Sequence, residues 1–232
     1  AASVQAVQSV GAMRAADVVM LAVADDQIAP AAAALAAARE AWLRGAVVFH
    51  CSGAKASDAL QVLRDAGAFV ASVHPIRSFA DPGRVSADFA GTFCGIEGDP
   101  QALAVLTPAF ERIGARLVSI EAAAKTVYHA ASVFASNYLV TVMDAALRAY
   151  QAAGIPEPVA RELAAPLASE TLANVLRLGA APALTGPIAR GDLGTVSRQQ
   201  EAVTAWDEPT GRLYAALAES TMDVAARKRR PA

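Results

Sequence analysis

The chain has 232 residues, 20 Lys and Arg against 22 Asp and Glu, a formal net charge of -2 and a pI near 5.9. A slightly acidic chain gives no electrostatic case for nucleic acid as a partner. The 55% apolar content is inflated by alanine, and no run of about 18 apolar residues lacks a polar interruption, so no membrane span is expected. No signal peptide is evident at the amino end. Cys51 and Cys94 stand far apart without CxxC spacing, which reads as reduced thiols in a cytoplasmic protein.

The first half alternates β-branched runs with helical stretches, the pattern of a parallel sheet with crossover helices. Strands are expected at Asp17 to Ala24, Ala46 to His50, Ala68 to Val73, Thr92 to Glu97 and Ala115 to Ser119, their near-continuous hydrophobicity suiting cover on both faces. Helices are expected at Ile28 to Leu43 and Pro100 to Ile113, the second with Asp99 as its cap. From Glu121 onward the chain reads as helix: to Ala153, then Pro156 to Leu178, Thr195 to Trp206 and Pro209 to Arg227, with Gly154 and Gly179 as stops. This is α/β followed by all-α, with a domain boundary near residue 120, giving domains 1–120 and 121–232. The terminal RKRR reads as a solvated, frayed tail.

A dinucleotide-binding sheet normally opens with a strand, GxGxxG and a helix whose amino end holds the pyrophosphate. This sequence contains no GxGxxG. Either roughly one βαβ unit, on the order of 30 residues or more, lies upstream, or the phosphate loop is lost. The first is favoured, because a sheet without its central strand would bury unpaired backbone groups.

Within KTVYHAASVFASN (residues 125–137), Lys125, His129, Ser132 and Ser136 fall within about a 60° arc of a helix, with Tyr128 at its edge and Asn137 about a third of a turn away. The bland reading is a solvent-facing stripe. Only Lys125 is charged before Asp144, however, so a stripe lining a cleft is the better account. The turn HCSGA follows a strand at the carboxyl end where open α/β sheets bind ligands, making Ser52 and Gly53 candidates. His74 in VHPIRSF is placed in the same way, as a donor to substrate or as a strand cap. Val23, Ala24 and Asp25 end the first strand, where a cofactor could pass closely, although helix capping alone explains the aspartate. Arg190, in the glycine-dense LTGPIARGDLGT, is a turn residue or an anion clamp. A Cys51 nucleophile paired with His50 is geometrically poor, because adjacent strand residues face opposite ways. The three histidines lack metal-ligand spacing, and no metal is expected.

ADVVMLAVADDQI, HCSGA, HPIRSF, FCGIEGD, KTVYHAASVFASN and LTGPIARGD, in that order, resemble an uncharacterised bacterial family of candidate NADP-dependent oxidoreductases. That family joins a Rossmann-like domain to a helical carboxyl-terminal domain and is similar to the 6-phosphogluconate dehydrogenase superfamily. The resemblance runs from about residue 15 to residue 215. It implies a nicotinamide cofactor, NADP or NAD, with a deazaflavin as a further option, passing Val23, Ala24, Asp25 and the Ser52 turn. It implies a small carbonyl or imine substrate, with the Ser52-Gly53 turn and His74 at substrate-binding positions; Ser132, Ser136, Asn137 and Arg190 are substrate-binding candidates from the helix stripe and the glycine-dense loop, and Arg77, Arg190 and Lys125 hint at a carboxylate-bearing substrate. Lys125 matches a lysine that acts on the substrate oxygen in hydroxyacid dehydrogenases, and His129 stands where an amide side chain follows it. The roles implied are Lys125 as the group that polarises or protonates and His129 as the group that orients or relays. Neither nucleic acid nor membrane is expected as a partner. The alanine-rich helical half suits a homodimer. The competing reading is a dinucleotide-binding or sensing module, or a dimeric scaffold, without turnover.

Overall fold

The computed structural model describes residues 5–229, apart from the side chains at positions 39 and 40. The chain divides into two compact units, residues 1–137 and 138–232. The helix carrying Lys125 is therefore grouped with the sheet.

In the first unit, β1 (Val18–Leu21), β2 (Val47–His50), β3 (Phe69–Pro75), β4 (Phe93–Gly98) and β5 (Arg116–Ser119) form one sheet in sequence order. Its helices are α1 (Ile28–Leu43), α2 (Gln61–Asp65), α3 (Pro82–Ala87), α4 (Pro100–Arg112) and α5 (Lys125–Ala135). The second unit is helical: α6 (Asn137–Ala152, its first residue closing the first unit), α7 (Glu157–Leu178), α8 (Ala180–Ala183), α9 (Gly186–Arg190), α10 (Leu193–Trp206) and α11 (Glu208–Arg229). The expected basic tail is helical through Arg229, and Arg230 lies outside the described residues.

The sheet is dominated by parallel pairs, as expected, with one antiparallel pair. β1, β2 and β3 are parallel, as are β4 and β5, but β3 and β4 are antiparallel. The β3–β4 connection contains only the six-residue α3. The chain between them does not cross back to the starting end of the sheet, so β4 returns beside β3 in the opposite direction. The continuous helix expected over Glu121 to Ala153 is also interrupted. Ser136 adopts φ -127 and ψ -75 and closes α5 with a hydrogen bond from its amide to the Val133 carbonyl. Ser and Asn side chains compete for nearby backbone groups, which makes Ser136-Asn137 a natural break. The segment Ala122–Ala152 has the length and mean hydropathy, 1.3, to cross a membrane, but α5 and α6 have 11 and 16 residues, each short of the roughly 20 a span needs.

Two apolar layers sandwich the sheet. Val19, Val48 and Val70 pack with Ile28, Leu35 and Leu63 on one face. Phe49, Ala71, Val73, Cys94 and Ile96 pack with Ala102 and Leu106 of α4 on the other. Asp99 occupies the cap position of α4, but its carboxylate serves the sheet instead: it accepts from the Val70 amide at 2.8 Å and pairs with Arg64 at 3.1 Å.

Gly98 ends β4 at φ 145, where a side chain would come within 2.5 Å of Ala71 Cα and the Val70 carbonyl oxygen. Gly98→Ala should therefore destabilise the protein by about 3 kcal/mol, combining backbone strain with overpacking against immobile backbone. Urea unfolding that moves by less than about 1 kcal/mol would show that the β3–β4 junction yields more easily than this geometry allows.

Candidate functional site

The two-residue period of a strand converts the first core face into a polar row at the strand ends. Val48 and Val70 point into the apolar layer; two residues onward on the same faces stand His50 and Ser72, paired in register across β2 and β3. His74 follows on β3, opposite Gly95 of β4, and Glu97 is two residues further along that strand. His50, Ser72 and Glu97 are buried. The Glu97 carboxylate accepts 2.8 Å hydrogen bonds from both the amide and the hydroxyl of Ser57.

Lys125 is brought to this row as the first residue of α5, and only 2% of it is exposed. Its ammonium donates to the Ser52 carbonyl at 2.9 Å and to Ser72 Oγ at 2.7 Å. The Ser72 hydroxyl in turn donates to the same carbonyl at 3.2 Å. Ser52 Oγ accepts from the amides of Ala54 and Lys55, which fixes the turn. Desolvation pushes the Lys125 pKa down from its ordinary value, opposed by the charges of Glu97 and Asp25. His50 Nδ1 accepts from the Ser52 amide, so its proton resides on Nε2 and is donated to the Ala56 carbonyl. Burial holds the His50 pKa below its usual value.

A second cluster adjoins the first. Lys125 Nζ lies 6.0 Å from the centre of the Tyr128 ring, and Tyr128 Oη is 2.8 Å from His74 Nδ1. The His74 and His129 rings stand 5.7 Å apart at 73°. Gly53 and Gly95 make the room: a methyl group on Gly53 would come within 2.3 Å of His129 Nδ1 and 2.8 Å of His74 Nε2, and one on Gly95 within 2.5 Å of Tyr128 Oη. Burial and the Lys125 charge lower the His74 pKa to about 4. Burial raises that of Tyr128 to about 12.

These groups open onto two cavities rather than one. Lys125 and Thr126 border a space of about 450 Å³ together with Ala29, Ala54, Ala56 and Ala122. His74, His129, Ser132 and Ser136 border another of about 390 Å³, which also includes Asn137. The polar stripe read from the sequence is thus divided along α5. Val23, Ala24 and Asp25 follow β1 and are exposed; the Asp25 charge reaches His50, His74 and Lys125. Arg190 ends the short helix α9 in the second unit.

Cys51 faces Met20 rather than His50, and burial raises its thiol pKa, so a thiolate nucleophile finds no support here. Among the described residues no group of three His, Cys, Asp or Glu is placed to hold a metal ion. Sequence reasoning missed Ser72 and Glu97. Each is a polar residue inside an apolar strand run, on the face that its register assigns to the site, and that was the available signal.

A family model for a domain of unknown function, DUF2520, matches residues 92–221, and a Rossmann-like domain model matches residues 2–75. The chain belongs to the DUF2520 family. The DUF2520 protein is similar in structure to protein TM1727 from Thermotoga maritima, with 28% identity and a TM-score of 0.75 over 95% of this chain and 83% of that one. It also resembles a candidate NADP oxidoreductase, BF3122, from Bacteroides fragilis, at 20% identity and a TM-score of 0.75 over 94% and 80% of the two chains. An imine reductase from Myxococcus stipitatus in complex with NADP+ shares the fold at 14% identity and a TM-score of 0.61, over 95% and 78%. No curated protein matches the sequence.

The low His74 pKa has a signed consequence. Between pH 6.5, its ordinary value, and about 4, the unfolded chain binds more protons than the folded one, so stability rises with pH across that window and is lost as pH falls through it. His74→Asn keeps an acceptor for Tyr128 and removes the titration, and its stability, measured by urea unfolding between pH 7 and 4, should fall less steeply than that of the wild type. Identical slopes would place the acid sensitivity elsewhere.

Proposed function

We propose that this DUF2520 protein is an NAD(P)-dependent oxidoreductase that reduces a small carbonyl or imine. The observation that carries the reading is the desolvated Lys125 ammonium, anchored to Ser52 just past the carboxyl end of β2 and to Ser72, which is level with that end on β3, and bordering a cavity. That is where open α/β sheets bind ligands. The likeness of fold to an NADP-bound imine reductase supports it.

The residues present fit one end of a nicotinamide dinucleotide. Val23, Ala24 and Asp25 after β1 and the Ser52 turn after β2 would hold the nicotinamide half, beside a cavity where the small side chains of Ala29, Ala54, Ala56 and Ala122 leave space and Lys55 and Asp58 add charge. A pyrophosphate is held by a glycine-rich turn at a helix amino end, and this sequence contains no GxGxxG, so only the nicotinamide half is assigned to these residues. When bound, a reduced nicotinamide supplies the hydride that the substrate carbon accepts. The substrate oxygen or nitrogen then requires one proton. Of the three ammonium hydrogens of Lys125, two are taken by Ser52 and Ser72, which leaves one N–H to polarise the substrate and deliver that proton. A depressed pKa makes the transfer easier near neutrality, and the positive charge favours an oxyanion as it develops. His74 and His129 orient the substrate from the other side of Gly53.

A non-catalytic binding or scaffold role is the second reading, and one observation favours it: an ammonium so deeply buried could simply rivet α5 to the sheet. Two measurements separate the readings. NADPH, NADH or a deazaflavin at about 100 times its Kd should stabilise the protein by about 2.7 kcal/mol in a thermal-shift titration. Lys125→Met should then lower turnover of a carbonyl or imine panel by about 100-fold or more while leaving that stabilisation in place. Cofactor binding without turnover by the wild type, or full turnover by the variant, removes the catalytic role.

We further propose that the second unit self-associates. Among its described residues only Ala160, Ala164, Val196, Thr210, Gly211 and Ala225 are buried, while Leu167 is 61% and Leu176 79% exposed. Leu139, Val142, Leu167 and Leu172 line an apolar groove between α6 and α7. So little burial leaves a helical unit short of a core, and a second copy presenting the same face would supply one. Sedimentation equilibrium should give a dimer for the wild type and a monomer for Leu167→Glu. A monomeric wild type, or one that floats with lipid vesicles, overturns this assignment.

A further inference from the structure

His129 Nδ1 is buried and has no hydrogen-bond partner. It abuts Gly53, where a methyl group would come within 2.3 Å of it. A proton on that nitrogen would be a buried donor without an acceptor, which costs its full desolvation. The proton of the neutral ring therefore resides on Nε2, leaving Nδ1 as the unprotonated atom against Gly53. His74 reaches the same tautomer by another route. Tyr128 keeps its hydroxyl proton, its pKa being raised to about 12, and its oxygen takes a hydrogen bond from the Gly95 backbone. The hydroxyl hydrogen is then free to point at His74 Nδ1, 2.8 Å away, so His74 also carries its proton on Nε2.

Both rings border the cavity of about 390 Å³, with the hydroxyls of Ser78, Ser132 and Ser136, and no Asp or Glu lines it. The wall thus presents N–H and O–H donors without a competing carboxylate. The one cation among its lining groups, Arg77, is committed elsewhere: it donates to the Asp88 carbonyl, pairs with the Asp88 carboxylate and contacts Thr92. A doubly charged phosphate calls for free Arg, Lys or a helix amino end. A singly charged, planar acceptor fits a set of neutral donors better.

We propose that this cavity binds the carboxylate group of the substrate, with His129 Nε2–H as the directional donor and Ser132 and Ser136 completing the set. The ligand class is a small oxo or imino acid. Contacts through Tyr128 connect this pocket to Lys125, so the acid group and the reducible carbon are recognised by neighbouring parts of α5. That the ligand is the substrate rests on the oxidoreductase reading; carboxylate binding itself does not.

The test uses the whole chain without cofactor. Long-range proton–nitrogen NMR of the imidazoles should show the neutral forms of His129 and His74 protonated on Nε2; a neutral His129 protonated on Nδ1 overturns the proposal. Calorimetric titration with pyruvate and 2-oxoglutarate, each against its methyl ester, should give at least one acid bound ten-fold or more tightly than its ester. Gln mimics the Nε2 donor of histidine and Asn the Nδ1 position, so His129→Gln should keep the binding within about three-fold and His129→Asn should lose ten-fold or more. Acids that bind no better than their esters, equal loss in both variants, or binding of inorganic phosphate in place of the acids overturns the proposal. Acid binding by a protein that binds no nicotinamide would sustain this inference and sink the oxidoreductase reading, so the two failures are distinguishable.

Discussion

The geometry of the site depends on burying one ammonium. Removing a charge of that size from water costs several kcal/mol even after relaxation, and the cost is offset here by two short hydrogen bonds to Ser52 and Ser72 and by the field of Glu97 and Asp25. The three groups tied together belong to the turn after β2, the middle of β3 and the first residue of α5. Besides that tie, the polar contacts described between α5 and the sheet are those of Tyr128 with His74 and the Gly95 backbone.

Two glycines do the complementary work of removing bulk. Gly53 admits the edges of two imidazoles and Gly95 admits a phenol oxygen, each at distances that a single methyl group would abolish. The cluster is assembled from positive contacts at Lys125 and from space at these glycines. The same arrangement explains why the α5 stripe faces two cavities: the Ser52-Gly53 turn meets the helix between Lys125 and His129, which are separated by one helical turn.

Much of this was legible in the sequence, for identifiable reasons. Five strands and the helices Ile28 to Leu43 and Pro100 onward follow from apolar runs and from Pro and Gly punctuation, and the observed elements agree within a few residues. The HCSGA and HPIRSF turns were located because strand ends carry sites in such sheets. The antiparallel β4 was not visible, since its direction depends on which end of the sheet the connection after β3 delivers the chain to, which composition does not encode. Ser72 and Glu97 were missed because a lone polar residue in an apolar run carries no period of its own until register assigns it a face. The break at Ser136 was hidden by the apolar content on either side of it.

The charge state of the cluster follows from these contacts and limits the chemistry open to it. Three titratable cations, His50, His74 and Lys125, share a small volume, and full protonation of all of them would set like charges side by side in a desolvated space. Burial together with the Lys125 charge lowers both His50 and His74, so near neutrality the lysine is the principal cation and these two histidines act as neutral donors with fixed tautomers. Glu97, held by Ser57, supplies the counter-charge without touching the ammonium directly. One positive charge flanked by neutral donors suits a reaction in which a single negative charge develops and is quenched by one proton.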